Sequence, residues 1–124
     1  MFYRGEVAEA ATLLREVLSA NPNLHGVRPF LAICLSKQGH HDAARAELNE
    51  NVQRTAAVDP DIAYAVATVY ALENDLLSAF QWLNRSVALG NENKYLFAHD
   101  PNLVALRDDP RWAELTGRMK STAS

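Results

Sequence analysis

Gly5, Ala10 and Leu14 return as Gly39, Ala44 and Leu48, each displaced by 34 positions. The frame comes round again at Asn74, Ala79 and Leu83, 35 positions further on, with a polar residue in the glycine's place. A period near this length is that of a helical hairpin. One hairpin cannot bury its apolar face alone, so neighbours must stack into one continuous core. The 124 residues, 48% of them hydrophobic, suffice for a single domain of this kind.

Helical spacing and stop signals divide the chain further. Val7, Ala10, Leu13, Leu14, Val17 and Leu18 predict an amphipathic helix over 6–20 that ends at Asn21-Pro22. Pro29 predicts an early helix position, with the helix running to about Gln38 and closed by Gly39. Ala44, Leu48, Val52 and Ala56 predict one continuous helix from His41 to about Val58, a turn longer than its counterpart. Asp59-Pro60 reads as an N-cap followed by the first helical residue, opening a helix to Leu72 that Asn74-Asp75 breaks. A further helix over 76–89 stops at Gly90, which suits a left-handed cap. Asp100-Pro101 and Asp109-Pro110 start two more helices, the first of them short. Trp112, Leu115 and Met119 share one face of the second, so the tail reads as a lid on the stack.

The segments 5–10, 39–44 and 74–79, with the closing Asn21-Pro22 and Asp59-Pro60, resemble the inter-helix turns of tetratricopeptide repeats. The resemblance covers roughly residues 1–90. It implies an all-α right-handed superhelix of such hairpins with a helical C-terminal cap, divided as a partial repeat (1–22), two repeats (23–59 and 60–90) and capping helices (91–124). It also implies that Ala10, Ala44 and Ala79 sit where paired helices approach closely. The first helix of each hairpin would line a concave groove, which places Ile33, Ser36, Lys37, Tyr64, Thr68 and Leu72 on a binding surface for a peptide or a partner domain. Residues 88–94 and 99–112 look like the end of repeat domains in bacterial signalling proteins, among them serine/threonine kinases, adenylate cyclases and winged-helix regulators. That likeness makes a regulatory tail packed on its own catalytic domain the alternative function.

Chemistry of the chain's own has little support. There is no phosphate-cradling glycine loop, no Gly-x-Ser-x-Gly elbow, and no Arg-Asp after His40 or His41 as in a kinase catalytic loop. His25, His40, His41 and His99 read as turn and capping residues, and Asp109 as an N-cap rather than half of an acid/base pair. Trp82, Trp112, Phe80, Tyr95 and Phe97 read as packing residues, and the lone Cys34, inside an apolar run, as core. No cofactor or metal is implied, which leaves a metal-assisted hydrolase as the least favoured reading. A formal charge of −3 with scattered Lys and Arg argues against nucleic acid. Charged residues interrupt every apolar run, so neither a membrane span nor a signal peptide is predicted, and a cytoplasmic location follows by default. Met1–Arg4 read as the last turn of an earlier helix. The stripe of Val7, Leu14, Val17 and Leu18 would then lack part of its cover, as in a fragment of a longer chain or a self-associating one.

Overall fold

Each hairpin turn begins where the backbone passes into the left-handed region, at Gly39 (φ 84°) and at Asn74 (φ 61°). Glycine enters that region freely and asparagine tolerates it, which is why the repeat accepts either residue. The hydrogen bonds around the two positions match. The His40 N–H donates to the Leu35 carbonyl (2.9 Å) and the Gly39 N–H to Ser36 (3.1 Å); Asp75 donates to Tyr70 (2.9 Å) and Asn74 to Ala71 (3.1 Å). Gly90 (φ 110°) repeats the pattern, with Asn91 donating to Ser86 and Gly90 to Val87. These are Schellman closures, which satisfy carbonyls that a helix end leaves open.

The computed structural model describes residues 4–119. Its helices are α1 (Arg4–Ala20), α2 (Arg28–Lys37), α3 (His41–Glu47), α4 (Glu50–Ala56), α5 (Pro60–Leu72), α6 (Leu76–Ala88), α7 (Lys94–His99), α8 (Val104–Arg107) and α9 (Pro110–Gly117). Among the described residues there is no strand. Asp59 and Asp109 cap α5 and α9 with their carboxylates, each followed by the proline that the sequence places there.

α5 is the central element. Val66 and Val69 belong to a first core with Val7, Leu31, Leu35, Ala44, Leu48 and Val52. Ala67 and Ala71 belong to a second core with Phe80, Leu83, Phe97, Leu103, Leu106 and Leu115. Residues from α7 to α9 thus close the end of the stack, and Met119 joins them. Ala44 and Ala79 are fully buried at the close approaches. Burial also raises the pKa of the Cys34 thiol, which lies in the first core.

The structure departs from the sequence reading in four places. The helix expected over 41–58 is two helices. The chain leaves helical geometry at Leu48 (ψ 54°) and Asn49 (ψ 177°), and the Asn49 side chain accepts the Val52 N–H at 3.0 Å to start α4. Asparagine competes with the helical backbone for its own hydrogen bonds, so a capping geometry displaces the interior one. A second difference is α7, where Asn93 caps a helix that the proline signals do not reveal. Third, Gly5 lies inside α1 rather than in a turn, a helix position that costs glycine about 1 kcal/mol relative to alanine. Of Met1–Arg4, read as the last turn of an earlier helix, Arg4 is instead the first residue of α1, and Met1–Tyr3 lie outside the described residues. Fourth, the α1 stripe is narrower than expected: Val7, Ala11 and Leu18 are buried with Ala10 and Leu14 packed beside them, while Leu13 and Val17 are 60% and 42% exposed.

Two substitutions test this account by urea denaturation. Ala79→Leu overfills a site with no free surface and lowers stability by about 1–3 kcal/mol. Asn49→Ala removes the α4 cap and costs about 1 kcal/mol; an unchanged midpoint would make the break between α3 and α4 incidental.

Candidate binding face

Because the hairpins stack in register, the first helices of successive units, α2 and α5, lie side by side, and α7 follows them. Their N-terminal ends share a cleft of about 340 Å³ lined by Phe30, Asp61, Tyr64, Asn91, Asn93 and Leu96. Phe30 and Leu96 are large apolar side chains left 45% and 38% exposed. Apolar surface in a concavity, bordered by polar groups, is the usual make-up of a binding site.

Tyr64 is held in place from the cap side. Its hydroxyl donates to Asp100 Oδ2 at 2.6 Å, and its ring centroid lies 5.2 Å from that of Phe97. Burial, then the hydrogen bond to Asp100, push the phenol well above its ordinary pKa, so it remains a donor. Arg107 completes this corner by donating to the carbonyls of Phe97 and Asp100.

The six groove residues expected from the repeat geometry separate. Tyr64 lines the cleft. Ile33, Lys37 and Leu72 are half-buried, Ile33 packing on the first core. Ser36 and Thr68 are buried, and the structure withdraws both from the surface. Thr68 donates to the Tyr64 carbonyl one turn back (2.9 Å), and Ser36 donates to Glu73 Oε2. Phe30, Asp61, Asn91, Asn93 and Leu96 were missed. Phe30 sits in an apolar run that reads as core, and Leu96 belongs to α7. Asn91 and Asn93 carried a usable signal, since Asn-x-Asn after a helix-ending glycine is capping chemistry.

Glu73 is the most buried carboxylate of an ion pair among the described residues, its side chain 3% exposed, and His41 Nδ1 also bonds its Oε2 at 2.6 Å. Serine, carboxylate and histidine match a hydrolytic set by composition only. In a working triad the histidine stands between the other two and takes the serine's proton. Here Ser36 and His41 both meet the carboxylate, so the group pins α2 and α3 to the end of α5. Burial alone would raise the Glu73 pKa; the hydrogen bonds from Ser36 and His41 outweigh it and hold it below the ordinary value.

Other expected roles also resolve. His40 stands at the N-cap position of α3 without a side-chain capping bond, and His99 Nδ1 lies 2.9 Å from the Tyr95 carbonyl at the end of α7. Tyr95, read as a packing residue, is 74% exposed and stacks on the His99 ring at 4.1 Å. Trp82 and Trp112 are partly buried against the cores. Among the described residues no group of three or more His, Cys, Asp or Glu is placed to hold a metal ion, and no helix is long and apolar enough to cross a membrane.

The tetratricopeptide repeat family model matches residues 1–69, more than half of the chain. No curated protein and no solved structure matches it.

The Glu73 cluster generates a pH dependence. A carboxyl whose folded pKa is depressed contributes stability that is complete above its unfolded value, about 4.3, and is lost as pH falls through the folded value. Stability measured by urea therefore declines from about pH 5 downward, and Glu73→Gln makes that decline shallower while costing about 1–3 kcal/mol at neutral pH. An acid slope that is the same in both proteins would remove Glu73 from the account.

Proposed function

The chain belongs to the tetratricopeptide repeat family, whose members generally mediate protein–protein interaction, and we propose on that premise that it is a non-enzymatic module holding a segment of a partner protein on the face made by α2, α5 and α7. One observation carries this reading: Phe30 and Leu96, both substantially exposed, border the same concavity above a tyrosine whose hydroxyl is already committed within the fold. An apolar side chain entering from a partner would bury both without leaving the phenol unsatisfied. Lys37 and Leu72, half-exposed at the other end of α2 and α5, extend the surface and add a cation to it.

Panning a random linear peptide library displayed on phage against the full chain tests the assignment. Retained peptides, labelled with fluorescein and measured by anisotropy, should bind Phe30→Ala and Leu96→Ala about tenfold more weakly, the loss of roughly 1.4 kcal/mol of apolar contact. Because both side chains are part-exposed, the unfolding midpoint should change little. Undiminished affinity in both variants would place binding elsewhere.

A further inference from the structure

We propose that the cleft selects an extended peptide carrying a lysine or arginine beside an apolar anchor, with the cation on Asp61 and the anchor between Phe30 and Leu96. This rests on the reading of the cleft as a peptide site and specifies which peptide.

Asp61 supplies the charge. It is an exposed residue at the cleft, its backbone N–H is taken by Asp59 Oδ1 (2.9 Å), and among the described residues no cationic group pairs with its carboxylate. The neighbouring guanidiniums are engaged elsewhere. Arg28, two residues before Phe30, donates to Glu47 and to the Pro22 carbonyl, and Arg107 is held by the carbonyls of Phe97 and Asp100. Glu92 and Lys94, on either side of Asn93 in the chain, carry opposite charges, and among the residues that line the cleft Asp61 alone is charged, so Asp61 sets the sign of the site. The formal net charge of −3 adds to its attraction for a cation.

The asparagines supply the backbone contacts. Asn91 Oδ1 accepts the Asn93 N–H and Asn93 Oδ1 accepts the Leu96 N–H, both at 3.0 Å. With their oxygens fixed, the carboxamides are left to act as donors. Asn91 gives one amide proton to Ser86 Oγ (2.9 Å), which leaves one on Asn91 and two on Asn93. Such donors match carbonyl groups, and an extended chain offers its carbonyls where a helix has already used them. A volume of about 340 Å³ is at the small end of ligand clefts, room for adjacent side chains rather than for a packed helix.

The panned phage peptides decide the matter. The expected result is enrichment of Lys or Arg within two positions of Leu, Ile, Met or Phe. Against those peptides Asp61→Asn should bind about three- to tenfold more weakly and Asp61→Glu nearly as well as the unmodified protein, while versions with Lys or Arg changed to Gln should not distinguish Asp61→Asn from the unmodified chain. Enrichment without basic residues, or an equal loss for the Lys and Gln versions, overturns the charge selection and leaves the peptide site standing. No enrichment at all removes the peptide site, and this inference with it. Circular dichroism of each variant establishes that the fold is retained.

Discussion

The structure depends on one helix being covered on both sides by neighbours that come very close. Apart from Tyr64, α5 is built from alanine, valine and threonine between Ala63 and Val69, and Ala63, Ala65, Val66, Ala67, Thr68, Val69 and Ala71 are all buried. Small side chains allow neighbouring helices to approach on opposite faces, so Val66 and Val69 serve one core while Ala67 and Ala71 serve the other. A larger residue on either face would force the two halves of the stack apart, since packed interiors have no spare volume to absorb it. The C-terminal cap completes that second face: Phe97, Leu103 and Leu106 join Ala79, Phe80 and Leu83 of α6 in covering it.

Polar contacts then fix the helices in rotation and slide, which apolar packing alone does loosely. Ser86 donates to the Pro60 carbonyl at 2.7 Å, Arg85 to Ala57 at 2.8 Å, Tyr64 to Asp100, and Ser36 with His41 to Glu73. Each bond joins separate elements, and those of Ser86, Tyr64 and Ser36 satisfy groups that would otherwise be costly to bury. These pins also consume the polar groups that a repeat-based reading assigns to the groove. Ser36 and the hydroxyl of Tyr64 hold the scaffold, and what the face presents outward is the aromatic and aliphatic remainder with the Asp61 carboxylate, Lys37 and the carboxamides of Asn91 and Asn93.

That division explains which parts of the molecule were legible in the chain. Turns and caps were readable because their chemistry is local: Gly39, Asn74 and Gly90 adopt a left-handed backbone, and Asp59-Pro60 and Asp109-Pro110 carry a carboxylate that accepts the first free N–H groups of the helix. The break at Leu48–Asn49 was equally local but was overridden by the apolar periodicity running through Ala44, Leu48, Val52 and Ala56, which a bent pair of helices satisfies as well as a straight one. Site residues were harder. A 3.6-residue period says which positions share a face but not which element covers that face, so Thr68 reads as groove and Phe30 as core until the neighbouring elements are in place. Ser36 could not be removed from the groove without knowing that Glu73, 37 residues away, turns back onto it.

The family match ends at residue 69, within α5, and the cleft straddles that limit. Phe30, Asp61 and Tyr64 come from the matched repeat, whereas Asn91, Asn93 and Leu96 come from the segment that follows α6. The repeat therefore supplies a surface common to many stacked hairpins, and the cap converts one end of it into a bounded concavity with its own donors. Asp100 and Phe97 of the cap also hold Tyr64, so the cap positions a lining residue that the repeat contributes. Any change that loosens the cap alters the site's shape and its hydrogen-bonding groups at once, even where the repeat beneath is intact.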